Sequence, residues 1–220
     1  MTRILFVCTG NTCRSPMAEA MLRHMAEQAN LAVETRSAGV AAVDGEPISA
    51  NSRAVLEQKG ITGDHRARTL SDEDVKWADL ILTMTMNHKR LVIERFPEEM
   101  HKVHTLKEYV MDDPQALDLI RQREALIAEL ELNMALHQPI SEELREKLRE
   151  LEKQVPNFDV ADPFGGSLER YIACAEEIER ELRRVIEKLM NESRQNGNGL
   201  PDSSAGSDTV SDEDSSARSE

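Results

Sequence analysis

Cys8 is separated from Arg14 by five residues in the run Val7-Cys8-Thr9-Gly10-Asn11-Thr12-Cys13-Arg14-Ser15-Pro16. Between a buried strand and a helix, that spacing can hold a phosphoryl group. Backbone N–H groups at a helix start point outward and carry the positive end of the helix dipole. Gly10 lets the chain curl and Asn11 tolerates a left-handed conformation, so successive amides can form a nest for an anion. Arg14 adds a two-pronged contact to phosphate oxygens. Cys8 then lies at the base of a positive cup, a setting that favours a thiolate, and the Ser15 hydroxyl is placed to hydrogen-bond its sulfur. A thiolate beneath a bound phosphoryl group is aligned for in-line attack and a cysteinyl-phosphate intermediate. Thr9, Gly10, Asn11, Thr12, Cys13 and Ser15 are therefore candidate substrate-binding residues around a candidate nucleophile, Cys8, and a candidate phosphate clamp, Arg14. A lone Cys-x5-Arg is common by chance, and a cysteine after a strand is usually plain core. The conjunction of a strand before, Gly and Asn inside, Ser-Pro after and a helix following favours catalysis.

The elements that must position this loop are legible on either side of it. Ile4 to Val7 is a continuous apolar run, as in a central parallel strand buried on both faces. Pro16 suits the first position of a helix, and Met17 to Ala29 carries a helical pattern. A strand is predicted from Ala32 to Ser37, closed by Ala38-Gly39, and a helix from about Pro47 to Gln58. Ser71 caps a helix start leading to Trp77; Asp79 to Met84 is a strand, Asn87 to Arg95 a helix, and Lys102 to Leu106 a short fourth strand. A long helix follows from Ser167 to about Asn191. Strands alternating with helices predict an α/β fold, a parallel sheet covered by helices on both faces.

Two segments break the rhythm. Residues 113–155 are strongly helical, with Leu117, Ile120, Ile127, Leu130 and Met134 on one stripe and Leu144, Leu148, Leu151 and Val155 on a second. His137-Gln138-Pro139 divides them, which predicts an inserted helical hairpin whose stripes pack on each other. Residues 191–220 are Ser, Gly, Asn, Asp and Glu with almost nothing apolar and read as a disordered acidic tail. The domain is thus expected over residues 1–190. Hairpin and tail are the segments open to partner contacts.

With 40% hydrophobic residues, 220 residues can build one good core. A formal charge of −14 argues against nucleic acid as a partner. No apolar run is long enough to span a membrane, and Ile4 to Val7 is too short for a signal-peptide core, so a cytoplasmic protein is expected. The three cysteines, Cys8, Cys13 and Cys174, show no metal-type spacing, and the six histidines show no convergence. No metal or cofactor is expected. Cys174 reads as core. Cys13 is open between a reversible disulfide with Cys8 and simple packing.

The loop from Val7 to Pro16 resembles the phosphate loop of low-molecular-weight protein phosphatases. Ser37-Ala38-Gly39, Asp64-His65-Arg66-Ala67-Arg68, Ala78-Asp79-Leu80-Ile81-Leu82 and Asp162-Pro163-Phe164-Gly165-Gly166 resemble further segments of that family, in order. The likeness covers about residues 1–111 and 158–190. It implies a flavodoxin-like sheet of four parallel strands, the first lying beside both the second and the third, with the catalytic loop at the switch point. It also implies an aspartate before a proline as the acid that protonates the leaving group and then activates water. Of the two Asp-Pro pairs, Asp162-Pro163 is followed by Phe164-Gly165-Gly166-Ser167 and the closing helix, as the family pattern requires. Asp113-Pro114 reads as the cap and first residue of the inserted helix.

Thr12 and the Phe164-Gly165-Gly166 run are similar to bacterial protein-arginine phosphatases. Tyrosine-directed members usually carry a bulky aliphatic residue at the position of Thr12 and one or two tyrosines after the Asp-Pro pair. A guanidinium is planar and rich in N–H donors. The Thr12 hydroxyl and the Asp162 carboxylate can accept those hydrogens, and Phe164 can stack on the guanidinium plane. The resemblance therefore implies phosphoarginine in proteins as substrate, with phosphotyrosine as the alternative. Thioredoxin-coupled arsenate reductases share a similar first loop but need two further cysteines in the middle of the chain, and none lies between Cys13 and Cys174. A non-catalytic interaction platform is opposed by the intact set of Cys8, Arg14 and Asp162.

Overall fold

The structure is a computed structural model, described here over residues 1–197. Strand β1 (Thr2–Cys8) runs directly into the candidate loop, and α1 (Arg14–Gln28) leaves it. β2 (Val33–Gly39), α2 (Ala50–Gln58), α3 (Asp72–Trp77), β3 (Leu80–Thr83) and α4 (Met86–Arg95) follow. A 3-10 turn over Pro97–Lys102 leads to β4 (Val103–Thr105) and the short α5 (Leu106–Tyr109). The sheet order is β2-β1-β3-β4 and every pairing is parallel. β1 is therefore flanked by β2 on one side and β3 on the other, and its C-terminal end is the switch point at which ligands of open parallel sheets bind.

The continuous apolar run of β1 is explained by burial on both faces. Ile4, Phe6 and Cys8 pack with Met17, Met21 and Leu22 of α1, and with Ile178, Leu182 and Val185 of α8 (Leu168–Gly197). Leu5 and Val7 face the other way, against Val75 of α3 and Val92 of α4. Alternate residues of one strand thus build two cores, as the period of two requires.

Helix starts are set by side-chain caps, which moves several boundaries from their expected places. Ser49 caps α2 by accepting from the Ser52 N–H, so Pro47 stays outside in a bridge to Arg66. Ser71 and Asp74 form a reciprocal capping box on α3. Pro16 is not the first residue of α1: the helix begins at Arg14, which places the guanidinium on the first turn. Proline is tolerated there because first-turn N–H groups need no intrahelical partner.

Asp113 caps α6 (Pro114–Ala135), whose first position is Pro114, and Ser141 caps α7 (Glu142–Glu152). The two helices pack on each other, and Ile120 of α6 and Leu144 and Leu151 of α7 are buried. Met134 departs from the expected stripe and is 59% exposed. The expected tail also needs correction at its start. α8 runs past residue 191 to Gly197, because an established helix adds residues at one hydrogen bond each without a new nucleus. The rest of the acidic tail lies outside the described residues. No described helix is long and apolar enough to cross a membrane.

Candidate active site

The loop after β1 wraps its backbone around the Cys8 sulfur. The Asn11 N–H donates to Cys8 Sγ at 3.3 Å, and Ser15 Oγ lies 2.9 Å from the same sulfur. Cys8 is buried at the bottom of this arrangement. The left-handed turn falls on Asn11, with φ of 54°, as that residue type allows. A Cβ at position 10 would meet only Thr12 Oγ1, at an ordinary 3.7 Å.

Asn11 pays for its strained backbone with a saturated side chain. Its Nδ2 donates to Ser15 Oγ at 2.9 Å and to Ser37 Oγ at 2.8 Å, and its Oδ1 accepts from the Arg68 N–H at 3.0 Å. Its carbonyl lies 2.9 Å from His65 Nε2. Ser37 in turn donates to Glu19 Oε2 at 2.6 Å. Gly39, the β2 partner of Cys8 in register, closes the back of the loop. A Cβ there would stand 2.4 Å from the Thr9 carbonyl and 3.1 Å from Asn11 N, so only glycine fits.

Arg14 is buried, and two of the five N–H donors of a guanidinium are committed. Nη1 donates to the Val160 carbonyl at 3.2 Å and Nη2 to Asp162 Oδ2 at 2.8 Å. Five minus two leaves three donors for an incoming anion. Asp162 is half-exposed, and its Oδ1 accepts from the Phe164 N–H at 3.1 Å. Phe164 itself is 77% exposed and stands free at the rim.

The segment carrying Asp162 is fixed at many points although it emerges from the hairpin. Val160 N–H donates to the Met84 carbonyl at 2.8 Å, and Asp159 Oδ1 accepts from the Met86 N–H at 2.7 Å. Lys107 Nζ donates to the Asp159 carbonyl at 2.6 Å and pairs with Glu177, which also accepts from the Ala161 N–H at 3.3 Å. The acid candidate is thus tied to the sheet and α8 and does not depend on the hairpin for its place.

Cys8, Thr9, Gly10, Asn11, Thr12, Cys13, Arg14 and Ser15 form one loop, and Arg14 and Asp162 meet across it. Thr12 Oγ1 lies 3.6 Å from Cys13 Sγ and is half-buried. Cys13 Sγ is 3.3 Å from Tyr171 Oη of α8, and burial together with that thiol pushes the phenol up to about 12. Cys174 is buried on the same helix, and desolvation raises its thiol to about 12. Sequence reasoning missed Tyr171, Glu19 and His88. His88 Nε2 lies 2.8 Å from Thr9 Oγ1 and Nδ1 lies 2.8 Å from Thr85 Oγ1. Burial, aided by the Arg14 charge, pushes this imidazole down to about 4. The one local signal was Thr85 three residues earlier, in a helix-capping position.

Comparisons with known proteins bear on this geometry. The family model "Low molecular weight phosphotyrosine protein phosphatase" matches residues 3–121. A protein-arginine-phosphatase of Geobacillus stearothermophilus is 37% identical over 190 residues, covering 86% of this chain and 97% of that protein. One of Bacillus subtilis (strain 168) is 34% identical over 191 residues, covering 87% and 99%. A solved mutant of the YwlE arginine phosphatase with a phosphorylated active site serine is 33% identical, with a TM-score of 0.65 over 88% of this chain and 99% of that one. The chain belongs to the low-molecular-weight phosphotyrosine protein phosphatase family.

Proposed function

We propose that this chain is a protein-arginine phosphatase that hydrolyses phosphoarginine through a cysteinyl-phosphate intermediate. The observation that carries the reading is the buried Cys8 sulfur, held by the Asn11 amide and the Ser15 hydroxyl, beneath the paired Arg14 and Asp162. Phosphoryl oxygens sit on the loop amides and on the free donors of Arg14. Cys8 Sγ attacks phosphorus from the side opposite the leaving nitrogen, so that an S–P bond forms as the P–N bond breaks. The arriving anion competes for Arg14 Nη2 and releases Asp162 towards the leaving group, to which it gives a proton. Water then attacks the cysteinyl-phosphate, Asp162 takes its proton, and inorganic phosphate departs with Cys8 restored. Loop donors already in place cost no reorganisation in the transition state.

Phosphoarginine is favoured by the near full-length match to two protein-arginine phosphatases. Thr12 adds a hydroxyl acceptor for guanidinium N–H groups, and the exposed Phe164 adds a ring on which the plane can stack. Phosphotyrosine is the second reading, favoured by the description of the family as a whole. The partners are then phosphorylated proteins. Initial rates on phosphoarginine and phosphotyrosine peptides, with Cys8→Ser as the inactive control, decide between them. The reading expects preference for phosphoarginine and a shift towards phosphotyrosine in Thr12→Ile. Equal rates on both substrates, or an unshifted ratio in Thr12→Ile, would overturn the choice of arginine.

A further inference from the structure

The loop has one exposed side chain that is nonetheless anchored from outside the cup. Thr9 is exposed, and its hydroxyl bonds to His88 of α4, buried behind it. Thr85 Oγ1 accepts the His88 backbone N–H at 3.1 Å as the cap of α4. That oxygen still has its own hydrogen to give, and among the described residues the only acceptor bonded to it is His88 Nδ1, at 2.8 Å. A neutral ring with Nδ1 accepting carries its proton on Nε2. Nε2–H then donates to Thr9 Oγ1, and the Thr9 hydrogen finds no acceptor among the described residues.

We propose that His88 is a positioning residue for the phosphoryl transfer: by donating Nε2–H to Thr9 it turns the Thr9 hydroxyl into a fixed donor to the phosphoryl group held in the loop. This rests on the phosphatase reading above and goes one residue shell beyond it. Charge grows on the equatorial phosphoryl oxygens in the transition state, so a donor fixed there raises kcat more than it lowers KM. Burial keeps the ring neutral near pH 7, with Arg14 acting in the same direction and Asp159 and Asp162 against it. The Thr9 backbone is immobilised independently, since its carbonyl accepts from the Ala41 N–H at 3.0 Å against Gly39. The hydroxyl direction is therefore the freedom that His88 removes.

The test is a double-mutant cycle on the full chain with a phosphoarginine peptide. Thr9→Val and His88→Phe each lower kcat about tenfold with little change in KM, the cost of one transition-state hydrogen bond. The double variant falls no further, and His88→Gln, whose amide replaces Nε2–H, recovers most of the rate. Histidine-selective nitrogen spectra of the wild-type protein place the His88 proton on Nε2. Multiplicative losses, a proton on Nδ1, or a wild-type kcat in Thr9→Val would each overturn the inference. Thr9→Val changes only an exposed side chain, so its kcat remains informative if His88→Phe fails to fold. Absence of turnover by the wild-type protein would instead sink the phosphatase reading itself.

Discussion

The folded chain should lose stability between neutral and mildly acidic pH through His88, and the size of the loss follows from the site. The imidazole is 4% exposed, bonded to two hydroxyls and close to Arg14. Its affinity for a proton falls from the ordinary 6.5 to about 4, first by burial and then by the Arg14 charge, with Asp159 and Asp162 opposing. In the unfolded chain the same ring takes up its proton near 6.5. Below that pH the unfolded state binds more protons, so stability present above about 6.5 drains away as the pH falls towards about 4. The full difference corresponds to about 3 kcal/mol, of which about 2 kcal/mol is lost between pH 7 and pH 5. Urea unfolding at a series of pH values measures it, with His88→Gln as a reference whose residue 88 cannot titrate. The wild-type curve should fall below that of the variant by this amount on acidification. Two curves that stay parallel across that window would refute the buried, neutral assignment of His88.

Asp162→Asn should cut kcat about a hundredfold or more while phosphate still binds. Removing the carboxylate that occupies Arg14 Nη2 should also make inorganic phosphate a tighter inhibitor, which steady-state inhibition measures; weaker inhibition would contradict the competition. Gly39→Ala should drive its Cβ into the Thr9 carbonyl. A stability cost of about 1–3 kcal/mol and a drop in kcat are expected in denaturant melts and rate assays, and an active protein of unchanged stability would count against the packing behind the loop. Replacing residues 113–155 by a short linker should leave turnover of a small phosphoarginine substrate near wild type, because Met84, Met86, Lys107 and Glu177 hold the Asp162 segment. Lost turnover in a folded deletion would make the hairpin part of the site.

The loop was legible because its chemistry is local: strand, curl, arginine and helix follow one another within Ile4 to Met17. The sheet was legible for a similar reason, since β1 and β3 are short apolar runs with turn residues between them. What surrounds the loop was not. Ser37 and His88 reach it from β2 and from α4, and only the fold brings them there. Asn11 carries the left-handed turn that its residue type allows, but the three bonded neighbours that hold its side chain are a fact no spacing records. Met134 was placed on a packing stripe by its periodicity, yet it is exposed, because periodicity says where a stripe lies and not where its cover ends.

Phosphorus should pass through the sulfur of residue 8 on its way to water. Rapid acid quench of the wild-type protein within the first turnovers of a phosphoarginine peptide, followed by mass mapping, tests it directly. Phosphate attached to Cys8, and absent from Cys13 and Cys174, is the predicted result. Turnover retained by Cys8→Ser, with no phosphate on residue 8 in either protein, would contradict it.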